Sequence, residues 1–242
     1  MIRVQRLWPQ ILLVSLLFGF ALPCCAAASY QYIRIGQKTD VKATPSPGIA
    51  MIGGGDDLDE AFRWLCKQAN GGDFLVLRAR GGNEYNPYVN LRRCSARSLF
   101  SAVMLVRGLL ENPRLHAVLT DSHFAQRDRM GRSLGFLARI MQDAWSSTPR
   151  EIAIDEGSAV LVEGDGKASV VGPGKGAYFL RPTEAPETCR PSTPLTFRNI
   201  SAYRAPAGAR FDASKWRGEG GASYSLSVEE GVIHSTQTGG VY

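Results

Sequence analysis

The chain has 242 residues, of which 44% are hydrophobic, and carries a formal net charge of +6. That much apolar material is ample for a packed core, so disorder is not the leading expectation. Its basic residues are scattered rather than clustered with aromatics, which argues against a nucleic-acid surface.

The chain opens with Arg3 and Arg6 ahead of the apolar run "ILLVSLLFGFAL", and Ala26 and Ala28 offer a small-residue cleavage site before Ser29. An export signal over residues 1–28 is therefore expected, with an uncleaved anchor as the alternative. No later segment is long and apolar enough to cross a bilayer. Cleavage would leave 26 of the 28 basic residues against 22 acidic ones, a net charge of +4. It would also leave Cys66, Cys94 and Cys189, enough for one disulfide and one free thiol; no pair has metal-ligand spacing.

Residues 29–46 read as a polar linker. An α/β domain is expected over 47–181 and a β-rich C-terminal extension over 182–242. Ile49 to Ile52 is a short apolar strand that runs into Gly53, Gly54 and Gly55. Leu58, Phe62, Leu65 and Ala69 then recur at helical spacing, with Asp56 or Asp57 as the expected N-cap. Asn70, Gly71 and Gly72 stop that helix, and "DFLVLRA" returns as a strand.

This strand, helix, strand order predicts a parallel sheet. The order recurs with "HAVLTD" and a helix carrying Met130, Leu134, Leu137 and Met141 toward Trp145. Beyond Pro149, "EIAID", "SAVLVEGDG", "KASVVG" and "GAYFLR" read as a β-meander, and the turn-rich tail contributes "SYSLSV" and "GVIHS".

Three features could carry chemistry. The glycines at 53–55 could offer backbone amides to an anion, or could simply make a tight turn; they lack nucleotide-binding spacing. His123 follows a buried strand, where α/β folds place catalytic groups, and could serve as a general base or be satisfied structurally by Asp121. Arg127, Arg129 and Arg132 could bind a substrate carboxylate, or could pair along the helix surface, as Asp128 and Arg132 would at i,i+4. His116 and His234 have no such neighbours. The sequon "NIS" at Asn199 matters only in a glycosylating host.

In order and character, "GIAMIGGGDDLDEAFRWL", "GGDFLVLRARGGNEYNPYV", "LTDSHFAQRDRMGRSLGFLARI", "IAIDEGSAVLVEGDGKASVVGPGKGAYFL" and "PLTFRNISAYRAPAGARFD" resemble the cyanophycinase-like serine peptidases, relatives of aspartyl dipeptidase, in their exported, longer-tailed branch. The resemblance implies a three-layer, parallel-sheet α/β fold similar to class I glutamine amidotransferases, which are flavodoxin-like. It implies hydrolysis of β-aspartyl-arginine or aspartyl peptide bonds, with no cofactor. His123 would be the catalytic base, and Asp121, Arg129 and Arg132 would line the substrate pocket. The partner would be a peptide rich in aspartate or arginine, with neither nucleic acid nor, after signal cleavage, membrane; the oligomeric state stays open, a homodimer being one option.

The family's "G-T-S-A-G" elbow, its "G-G-D/N-Q" loop and its orienting acid between nucleophile and histidine have no counterpart here, so the domain reads as internally truncated. A strained elbow needs small neighbours, whereas Ser95 sits in "RCSAR", and Ser122 adjoins His123 so closely that their side chains should diverge. The expectation is a secreted or periplasmic family member that does not hydrolyse its substrate. A non-catalytic peptide binder and an internally deleted product without function are the alternatives.

Overall fold

A computed structural model of the chain describes residues 43–56, 58–71 and 115–242. The expected export signal, most of the linker, the strand "DFLVLRA", Cys94 and Ser95 lie outside the described residues. The elements in chain order are β1 (Gly48–Ile52), α1 (Asp59–Ala69), β2 (Val118–Asp121), α2 (Met130–Gln142), β3 (Arg150–Ile154), β4 (Ala159–Glu163), β5 (Lys167–Val171) and β6 (Ala177–Pro182). The remaining strands are β7 (Phe197–Ala205), β8 (Arg210–Asp212), β9 (Arg217–Glu219), β10 (Ala222–Glu229) and β11 (Val232–Ser235). No described helix is long and apolar enough to cross a membrane.

The fold is mixed α/β with two sheets, ordered β1-β4-β5-β8-β9 and β11-β10-β7-β6-β3-β2. Among the described residues only β2 and β3 pair in parallel; the other paired strands are antiparallel. The expectation of a parallel sheet is therefore corrected over most of the described chain. Parallel neighbours need a long crossover, and the β2–β3 connection holds one in α2. The β4–β5 connection is a few residues and can only turn back, whereas the equally short β3–β4 connection passes from one sheet to the other.

Strand alternation shows how the layers stack. In β6, Ala177 and Phe179 face the core between the two sheets, whereas Tyr178 and Leu180 face the layer that contains α2. In β4, Val160 and Val162 face the same inter-sheet core, whereas Ala159 and Leu161 turn toward α1. Among the described residues the order is helix, sheet, sheet, helix, rather than the expected three layers around one parallel sheet.

Both described helices carry the apolar stripes seen in the sequence, with adjustments. In α2, Met130, Leu134 and Leu137 are fully buried and Met141 is half-buried, but the helix stops at Gln142 and Trp145 is 67% exposed. In α1 the N-cap is Leu58, not Asp56 or Asp57, and no side chain caps it. Ala61 is its fully buried residue, while Phe62, Leu65 and Ala69 are half-buried. Asn70 closes the helix in the left-handed conformation, as its sequence signal predicts.

Residues 182–242 are woven into both sheets. β7 pairs with β6 along its length and β10 pairs with β7, while β8 and β9 extend the sheet that contains β1. Phe211 of β8 stacks on Phe179 with ring centroids 3.7 Å apart, and Trp216 meets Phe211 edge-on at 5.1 Å. Phe211→Ala removes a ring from the middle of the inter-sheet core and should lower the unfolding free energy by about 3–5 kcal/mol. Urea denaturation measures this, and a loss below about 1 kcal/mol would show that the extension is not integral to the core.

Candidate functional site

Parallel pairing brings the exits of β2 and β3 to one edge of the six-stranded sheet, where the turn after β1 meets them. His123 lies there in the left-handed region, at φ 51°. Its amide donates to the Gly53 carbonyl at 2.8 Å, and the Phe124 amide donates to the Ile154 carbonyl at 3.3 Å. A non-glycine residue at positive φ is held by its surroundings, and such strain concentrates at functional sites.

The imidazole is oriented on both sides. Nδ1 is in hydrogen-bond contact with Glu156 Oε1, from the turn after β3. A carboxylate there fixes the proton on Nδ1 and leaves Nε2 as the accepting nitrogen, the tautomer a general base requires. Nε2 lies over Gly54, whose φ is 91°; a Cβ at that position would come within 2.4 Å of it. Gly54 therefore gives room to the ring. The Gly53 amide is itself spent on the Ser158 carbonyl at 2.9 Å, so this part of the glycine run serves as a turn.

Glu156 is the residue that sequence reasoning passed over. It lies within "IDEGSA" and received no role, because the orienting acid was sought between the nucleophile and His123. The available signal is its position two residues beyond the end of a buried strand, the counterpart of His123 after β2. An acid does stand on His123, but it comes from β3, and Asp121 does not fill that role.

Asp121, Arg129 and Arg132 do come together, largely on one another. Arg129 Nη1 donates to Asp121 Oδ1 at 2.9 Å and to the Ser122 carbonyl at 2.7 Å. Arg132 Nη2 contacts both Asp121 oxygens, at 2.5 Å for Oδ1. Two guanidiniums share one carboxylate, which leaves one net positive charge. The Arg132 side chain is 42% exposed, against 17% for Arg129 and 9% for Asp121, so the unspent donors of Arg132 are the ones that solvent reaches. The i,i+4 pair with Asp128 does not form; Asp128 accepts from Tyr242 Oη at 2.9 Å instead.

Among the described residues no hydroxyl hydrogen-bonds to His123 Nε2, and Ser122 is engaged through its backbone, its amide donating to Asp121 Oδ1 at 2.8 Å. No described cluster of His, Cys, Asp and Glu is arranged to hold a metal ion. Cys66 is disulfide-bonded and Cys189 is a free thiol. No model of a known protein family matches the chain, and no curated protein matches it.

Beneath the arginines, Glu151 of β3 is fully buried, with Oε1 accepting from Ser133 Oγ of α2 at 2.5 Å and Oε2 unpartnered. Burial pushes its carboxyl up to about 8; the Ser133 hydrogen bond and Arg132 oppose that rise, and Asp121 adds to it. The unfolded chain gives up this proton near the ordinary carboxylate value of 4.5, whereas the folded chain keeps it until about 8. Between those values the unfolded state binds fewer protons, so this group's contribution to stability falls as pH rises through the window. Glu151→Gln is neutral throughout. Denaturation from pH 5 to 8 should show a flatter stability profile in the variant, and an unchanged slope would refute the buried neutral acid.

Proposed function

We propose that this chain is an exported homologue of the cyanophycinase-like serine peptidases that keeps the base side of the hydrolytic site without a working nucleophile. The observation that carries the proposal is His123, at the carboxyl end of β2, with Nδ1 on Glu156 and Nε2 over Gly54. This is the arrangement of a base and its orienting acid. The β2–α2–β3 unit is the part of the molecule compatible with an amidotransferase-like parallel α/β core. Export rests on residues 1–28 of the sequence.

Chemically, such a pair can take a proton from a hydroxyl or a water that reaches Nε2, and Glu156 would stabilise the imidazolium that forms. Covalent acyl transfer needs a nucleophile in addition, and neither Ser95 nor Ser122 has the small-residue setting of an elbow. Removing the nucleophile from a triad costs nearly as much as removing the whole triad. Cyanophycin and β-aspartyl-arginine should therefore be left intact by the folded protein. Release of aspartate or arginine that disappears in His123→Ala, yet survives Ser95→Ala and Ser122→Ala, would reveal another nucleophile and defeat the proposal.

A second reading, a non-catalytic binder of acidic peptides, draws on Arg132, whose exposed donors carry the positive charge left over at Asp121. A peptide carboxylate would compete with Asp121 for these donors, which makes binding weak. Calorimetry with a β-aspartyl-arginine dipeptide should give heat that Arg132→Ala abolishes. No heat at millimolar ligand would eliminate the binder.

A further inference from the structure

The loop that presents His123 is costly to hold. His123 and Asp128 both adopt positive φ, at 51° and 45°, a conformation that residues other than glycine hold only against steric strain. Besides the imidazole contact with Glu156, four hydrogen bonds tie residues 123–126 to β3 and to the turns after β1 and β3. Two come from backbone carbonyls, of Gly53 and Ile154, and a third runs from the Glu156 amide to Gln126 Oε1 at 3.2 Å. The fourth differs in kind: the Ala125 amide donates to Asp155 Oδ1 at 2.6 Å, and Asp155 is fully buried. Among the four it alone joins a loop amide to a buried ionisable side chain, and hydrogen bonds to a charged acceptor are the stronger class.

Asp155 also reaches the other way, toward the C-terminal strands. Its Oδ2 is buried without a hydrogen-bond partner, as are Tyr178 Oη of β6 and Arg204 Nε of β7. Tyr178 and Arg204 are directly opposed on neighbouring strands. Arg204 and Lys175 are the cations that act on the Asp155 carboxyl, and Glu156 is the neighbouring acid that opposes them. A buried carboxylate is tolerable only with such compensation.

We propose that Asp155 is the positioning residue that fixes the His123 loop in its left-handed turn. The proposal rests on the reading of His123 and Glu156 as the working pair. Asp155 does not touch a substrate; it acts through the Ala125 amide, two residues from His123, while the adjacent Glu156 engages the imidazole.

The test is NMR of the 15N-labelled chain, followed at Ala125 and needing no substrate. Burial holds the Asp155 carboxyl above its ordinary value, opposed first by the Ala125 hydrogen bond and then by Lys175 and Arg204, with Glu156 adding to the rise. In the parent the Ala125 amide shift should titrate with a midpoint above the ordinary aspartate value of 3.8. Arg204→Met should move that midpoint upward, because a nearby cation is lost. Asp155→Ala should speed exchange of the Ala125 and Phe124 amides by about tenfold or more, and Asp155→Asn, which keeps an acceptor oxygen, should restore protection while abolishing the titration. If Asp155→Ala does not fold, Asp155→Asn carries the test. An Ala125 shift that does not titrate, or Ala125 exchange unchanged in a folded Asp155→Ala, would overturn the proposal. Failure of the peptidase reading would show in the hydrolysis assay and leave these amide signals unchanged.

Discussion

β2 and β3 run in the same direction, and the geometry of the site depends on that. Antiparallel neighbours send their exits to opposite edges of a sheet, so the loops that follow them never meet. Here both exits leave on one side, and the segments after Asp121 and Ile154 lie against each other. The Phe124 amide donates to the Ile154 carbonyl, and the side chains at 123 and 156 come into contact as a result. The helix that makes the crossover also supplies Met130, Leu134 and Leu137 to cover the sheet behind them. One pairing direction thus settles both the location of the histidine and the hydrophobic support beneath it.

Four carboxyl groups lie within or close to this edge, each in a different setting. Asp121 is shared by two guanidiniums, Glu156 meets an imidazole, Asp155 holds a backbone amide, and Glu151 has a single hydroxyl donor in an apolar layer. For Glu151 and Asp155, loss of water outweighs the hydrogen bonds and nearby cations that oppose it, so both carboxyls are held above their ordinary values.

The elements with strong local signals were legible in the sequence. The apolar runs of β2 to β6, the stripe of α2 and the left-handed stop at Asn70 depend on residues close together in the chain, and they appear where their patterns put them. The direction of strand pairing was not legible in the same way, because alternating strand and helix patterns fit several topologies. β7, the longest described strand, hid in a stretch that looked like turns; Arg198, Asn199 and Ser201 are exposed, and Asn199 breaks the alternation by adopting φ 57°. The mutual pairing of Asp121 with Arg129 and Arg132 could be guessed from composition but not distinguished from a substrate clamp. Glu156 was missed because its partner is 33 positions away, and only the fold joins them.

Tyr242 donates to Asp128 and accepts from the Met130 amide, contacts that span 114 and 112 positions, while its ring packs edge-on against Phe124 and Tyr178. Contacts of such high sequence separation form late in folding, since loop closure must precede any return from them. The helix and the hairpins can organise locally on the microsecond scale. The His123 loop, by contrast, cannot settle until the distal strands have been synthesised and docked. On the ribosome the site is therefore among the last parts of the molecule to mature.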